Sequence, residues 1–147
     1  MDGASTIAGG ATGSLLFWDA RTRAELRCFD ECFNEEVAGL EFNKLRPSNL
    51  YGCGLDGIVS SFDLTQADEE DSVEWSQRLN NSASSITADG AYLRVHTTDH
   101  HLFLLKDGDI VKKYSVNSPE TPKHLLWSGM DCNDLGYYTW NINNQRL

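Results

Sequence analysis

The sequence predicts an all-β chain built as a repeat, and three observations carry that expectation. Asp19, Asp63 and Asp107 recur at a spacing of 44 residues, each closing a similar stretch: GSLLFWD at 13–19, GIVSSFD at 57–63 and HLFLLKD at 101–107. Short apolar runs bounded by Gly, Asn, Asp and Ser follow one another, and no long segment carries a helical period, which is the pattern of strands joined by tight turns. In Leu15-Leu16-Phe17-Trp18 every residue is apolar, although neighbours in a strand point to opposite faces of the sheet. A strand apolar on both sides belongs to a sheet covered on both sides.

The elements follow in order. A first unit, 1–35, reads as strands at 5–9, 14–20 and 24–29, with glycines in the turn at 10–13. The second, 36–80, opens with 36–42, where Val37, Leu40 and Phe42 are apolar. Its loop at 43–48 contains Pro47, which cannot donate to a sheet ladder. Strands at 49–53, 58–64 and 73–79 complete that unit, with a tight turn at 54–57. The third, 81–116, repeats the plan at 83–88, 91–97, 101–105 and 110–115. A fourth begins at 117 with runs at 123–127 and 136–141, and stays incomplete at 147.

A repeat of about 40–45 residues ending in Trp-Asp or a relative is the period of a propeller blade, of which a closed ring needs roughly 4–8. At FWDARTR (17–23), preceded by AGGATGSLL and answered by GCGLDGIVSSFDL, the chain resembles the WD-repeat β-propellers. The resemblance runs over nearly the whole chain. It implies an incomplete propeller of about three four-stranded antiparallel blades plus the start of a fourth. Trp18, Asp19, Asp56, Phe62, Asp63 and Asp107 are then its structural repeat positions, with Asp56 capping backbone N–H groups in the turn before the third strand, a role suited to a short polar side chain. There are departures. No Gly-His pair occurs, so the usual hydrogen-bond relay to Trp cannot form, and Phe62 and Lys106 stand where Trp is expected.

A net charge of −10 and a pI near 4.6 argue against a nucleic-acid surface, which requires a basic stripe. Cys28, Cys32, Cys53 and Cys132 lack paired metal-site spacing and read as reduced thiols of a cytoplasmic or nuclear protein. No secretory signal is expected from the first residues, and no apolar run reaches the ~18 residues of a membrane helix. His96, His100 and His101 lie near Asp99, and His124 is remote. These are metal-ligand residue types, but His100 and His101 match the turn positions Asp56-Gly57 and should point apart. Gly9, Gly10 and Gly13 are turn glycines without a following helix, so they offer no phosphate cradle. With no catalytic, cofactor or metal site, the expectation is a protein that is not an enzyme.

Two surface features remain. Asp68-Glu69-Glu70-Asp71 reads as a solvated insertion, and as an acidic contact for a basic partner. Trp18-Asp19-Ala20-Arg21 resembles the box through which substrate receptors of cullin-4 ubiquitin ligases meet their adaptor. A second copy is absent, since Phe62-Asp63-Leu64-Thr65 stands in its place. Arg21 and the acidic loop are expected on the same rim of adjacent blades. The expected function is a non-catalytic protein-interaction scaffold, its partners other proteins and neither nucleic acid nor membrane. The alternatives are a cullin-4 adaptor acting through Arg21, or a truncated product without independent function.

Overall fold

The computed structural model describes residues 5–115, together with the backbone of two strands at 125–128 and 136–139. The side chains of the expected fourth unit, His124 and Cys132 among them, lie outside the described residues. Three antiparallel meanders follow one another along the chain. The first sheet is β1 (Thr6–Gly10), β2 (Leu15–Asp19) and β3 (Glu25–Phe29). The second is β4 (Val37–Phe42), β5 (Asn49–Gly54), β6 (Ile58–Asp63) and β7 (Val73–Arg78), with a short helix α1 (Glu69–Ser72) between β6 and β7. The third is β8 (Ala83–Asp89), β9 (Tyr92–Thr97), β10 (His101–Lys106) and β11 (Asp109–Ser115). By itself, β12 (Leu125–Ser128) pairs with β13 (Gly136–Thr139) as an antiparallel hairpin. Among the described residues no helix is long and apolar enough to cross a membrane.

The second sheet is packed on both faces. Against the first lie Leu15, Phe17, Phe29, Phe33, Leu50, Phe62 and Leu64. Phe17 meets Phe29 edge-on with centroids 5.1 Å apart, and Phe29 and Phe33 lie 6.2 and 6.3 Å from Phe62. Such offset contacts add to the area buried. Against the third sheet lie Cys53 and Val59, facing Ile86, Leu93, Val95, Phe103 and Leu105. Each such fully buried side chain contributes roughly 1.5–3 kcal/mol of transfer free energy. The sheets therefore cohere through stacked apolar faces, while the expectation that β2 is covered on both sides is met on one: Leu15 and Phe17 are buried, and Leu16 and Trp18 are half-buried. In the centre of β6 two buried serines interrupt the pattern and are both satisfied: Ser60 Oγ bonds Ser76 Oγ at 3.0 Å, and Ser61 Oγ donates to Glu74 Oε2 at 2.7 Å. Close approach also fixes Gly10, where a Cβ would come 2.4 Å from the Val37 side chain on β4.

One irregularity recurs in all three sheets. The ladder between the last two strands slips by one residue, leaving Leu26, Glu74 and Val111 as bulges opposite Phe17/Trp18, Ser61/Phe62 and Leu104/Leu105. A bulge bends its strand and re-aims the flanking side chains.

The spacing of the third repeat differs from the expected 44. Leu50 pairs with Phe62, and Leu93 pairs with Leu105. Leu105, fully buried, thus occupies the Trp place, and Lys106 ends the strand where Asp63 ends β6. Asp107 stands one residue further on. It forms with Gly108 a two-residue turn in which φ is 50° and 89°, between the paired Lys106 and Asp109. Asp-Gly suits that turn because both residues need positive φ. The 44-residue match of Asp107 reflects a hairpin turn and not the end of the strand.

Candidate functional site

Four aspartates that the sequence makes conspicuous, or nearly so, are occupied in holding turns. Asp19 Oδ1 accepts from the N–H groups of Arg21 and Thr22, both at 2.8 Å. These bonds, Thr22 first, hold its carboxyl below the usual value. Asp63 Oδ1 accepts from Thr65 N at 3.0 Å and Thr65 Oγ1 at 2.7 Å, which lowers its pKa in the same way. Asp56 Oδ1 accepts from Ile58 N at 2.9 Å and its Oδ2 from Asn34 N at 2.7 Å. It pins the β5–β6 turn to the segment leading into β4, the role expected for it.

The histidine cluster resolves into the same device. The β5–β6 turn closes with Gly57 N donating to Gly54 O, and the β9–β10 turn with His100 N donating to Thr97 O. His100 (φ 64°) therefore replaces Gly57 (φ 79°), and Asp99, not His100, replaces Asp56. Asp99 accepts from Thr97 Oγ1 at 2.6 Å, His101 Nδ1 at 2.7 Å and Asn81 Nδ2 at 2.6 Å. Desolvation opposes the charged form, but the Thr97 and His101 bonds outweigh it and hold the Asp99 carboxyl low. A His-Asp-Thr network thus exists within one turn, although the chain lacks the Gly-His relay. Among the described residues no group of three His, Cys, Asp or Glu is arranged to hold a metal ion.

The two expected contact features sit differently from each other. Arg21 is exposed on the β2–β3 turn, its backbone fixed by Asp19, and its guanidinium has no hydrogen bond among the described residues. The acidic insertion does not stand free on that rim. Arg27, in mid-β3, donates from Nη1 to Gln66 O at 2.8 Å and from Nη2 to Ala67 O at 2.6 Å. Further along, Glu69 Oε2 accepts from Asp30 N at 3.2 Å, and Glu69 Oε1 lies 3.7 Å from Cys32 Sγ. The insertion is laid back along β3, because each of these groups on the first sheet finds a partner in it. Ser72, fully buried, closes α1 by donating to Asp68 O at 2.6 Å. Asp68, Glu70 and Asp71 remain exposed, and Glu69 is half-buried.

This docking creates a cleft of about 460 Å³ lined by Asp30, Glu31, Cys32, Ser60, Phe62, Glu69, Glu70, Val73 and Ser76. The sequence pointed to Glu69 and Glu70 only. Asp30, Glu31 and Cys32 come from the β3–β4 connection, which looks like plain loop, and no motif announces them. Burial, with the Glu69 carboxylate beside it, pushes the Cys32 thiol up to about 12. The hydrogen bond to Asp30 raises Cys28 likewise. Both are therefore protonated at neutral pH and poor nucleophiles.

No model of a known protein family matches the chain. Over 95 residues it is 27% identical to the WD repeat-containing protein 89 homolog of Dictyostelium discoideum, covering 64% of this chain and 26% of that protein. Over 65 residues it is 29% identical to the WD repeat-containing protein GTS1 of Arabidopsis thaliana, covering 44% and 16%. The chain thus spans about a quarter or less of the curated relatives it matches. Among solved structures, the β-propeller domain of Cps50 (Swd1) from Myceliophteria thermophila superposes with a TM-score of 0.62 at 14% identity, covering 81% of this chain and 37% of that one. U3-55K superposes with a TM-score of 0.64 at 18% identity, covering 76% and 34%. The fold is that of part of a β-propeller, and the curated relatives the chain resembles are WD-repeat proteins. In these stacked sheets the polar groups most suggestive of chemistry build turns, and the cleft and the exposed turns are what remains for contact.

Proposed function

We propose that the chain is a non-catalytic protein-interaction scaffold. One observation carries this reading: the aspartates at 19, 56, 63 and 99 fix the turns of stacked sheets, so exposed loops are held in place before any partner arrives. Pre-ordered loops lose little entropy on binding. Function on a fold of this kind resides in a grafted surface and not in the fold itself. Cross-linking mass spectrometry on the chain in cell extract tests it. Cross-links to other proteins concentrated on the turns are expected, and their absence removes the reading. The free thiols of Cys28, Cys32 and Cys53 support a cytoplasmic or nuclear setting, which fractionation checks.

A second reading rests on Arg21. Its unbonded guanidinium stands on a turn whose backbone is fixed, and a planar fork of donors suits carboxylates and carbonyls across an interface. Under this reading the chain is a substrate adaptor of a cullin-4 ligase. Arg21→Ala should abolish co-purification with the ligase and leave the thermal transition unchanged. Undiminished co-purification, or none from the parent chain, sinks it.

A further inference from the structure

The cleft between the β3–β4 connection and the last two strands of the second sheet has one exposed apolar side chain and an acidic rim without a lining cation. Val73, apolar yet 41% exposed, lines its open side, while Phe62 beneath is packed into the core. Asp30, Glu31, Glu69 and Glu70 surround the cleft, and no Lys or Arg lines it. The ion pairs of the described residues lie elsewhere, at Arg46–Glu74, Arg94–Asp89 and His101–Asp99. Arg27 directs its donors to the carbonyls of Gln66 and Ala67 and not to the carboxylates of the rim. Low-dielectric walls around charges of one sign focus the field and raise the local concentration of the opposite charge.

We infer that this cleft receives an arginine or lysine side chain from a basic segment of a protein partner. The aliphatic stem lies along the exposed Val73 side chain, as long cationic side chains cover apolar surface while keeping the charged head wet. The head reaches the carboxylates of Glu31 and Glu70, both exposed and without a hydrogen bond among the described residues. The volume, about 460 Å³, admits one such side chain with neighbouring backbone. A metal ion does not fit the same observations, because no three ligating groups converge there. This inference rests on the scaffold reading and names the chemistry of one partner.

The test is fluorescence anisotropy of the full chain with a labelled arginine-leucine-arginine peptide and its citrulline counterpart, which keeps the shape and loses the charge. The arginine peptide should bind and the citrulline peptide should not. The double variant Glu31→Gln/Glu70→Gln should weaken binding by about tenfold or more, a loss of about 1.4 kcal/mol. Asp68→Asn/Asp71→Asn neutralises two carboxylates of the same insertion that do not line the cleft, and should change binding by less than about twofold. Should the first pair fail to fold, Ser76→Lys places a tethered cation in the cleft and should abolish binding. Equal loss in both pairs, equal binding of the citrulline peptide, or no binding by the parent chain overturns the inference. If cross-linked partners persist after such a result, the scaffold reading stands without the cleft, and if they are absent too, both fall.

Discussion

Arg27 and Trp75 occupy the same place in successive sheets. Each follows the bulge, Arg27 opposite Phe17 and Trp75 opposite Ser61. Each reaches the connection after the third strand of the next sheet. Arg27 holds the carbonyls of Gln66 and Ala67, and the Trp75 ring lies so close to Gly108 that a Cβ there would come within 3.1 Å. A charge-assisted latch and an aromatic one thus solve one problem, the joining of outer strands that no backbone ladder connects. The two differ in what they meet: backbone carbonyls of an insertion for Arg27, and the glycine of a tight hairpin for Trp75.

Arg27→Ala should free the insertion. The loss of two hydrogen bonds from a charged donor, and of the guanidinium 4.7 Å over the Phe29 ring, should cost about 1–2 kcal/mol at this exposed site. A glutamate-specific protease should cut at Glu69 or Glu70 several-fold faster in the variant. Unchanged cleavage would mean that the insertion is held without Arg27.

Asp56→Ala should remove two bonds to a charged acceptor and detach Asn34 from the turn. A loss of about 1.5–3 kcal/mol is expected by urea denaturation. A loss under half of that would place the hold on the β3–β4 connection elsewhere.

The equivalent positions Gly57 and His100 should respond oppositely to substitution. At Gly57, Ala meets both a positive φ of 79° and carbonyl oxygens of Leu79 and Asn81 at 2.8 Å, so it should destabilise by about 1–3 kcal/mol. His100→Gly relieves a left-handed non-glycine residue and should stabilise by about 1 kcal/mol, less the entropy glycine adds to the unfolded chain. Matched thermal melts decide it, and a fall in both variants would overturn the equivalence.

Acid should destabilise the chain through its turn aspartates. Asp63 and Asp99 have folded-state pKa values below the ordinary 3.8, so the charged form is favoured by folding. Their contribution is complete above the unfolded value and is lost as pH falls through the folded one. The unfolding midpoint should therefore drop as pH is lowered below about 4, and Asp99→Asn should lie closer to the parent in acid than at neutral pH. A constant gap between the two curves would exclude Asp99 as a contributor.

The order of strands, the tight turns and the doubly apolar β2 were legible in the sequence, because alternation within a strand and Gly or Asp in a turn are local demands on local residues. The turn position of Arg21 and the capping bond of Asp56 were legible for the same reason. Only the tertiary structure decided that Leu105 and Lys106, not Lys106 and Asp107, end the third repeat, since strand pairing fixes register and counting along the chain does not. Only it decided that Glu69 is docked against Asp30 and Cys32 while Glu70 faces the cleft. Those contacts join residues about 40 apart that no repeat relates, and their energy comes from stacked sheets bringing an insertion and a loop together. Sequence wrote the blades, and the packing of one blade on the next made the cleft.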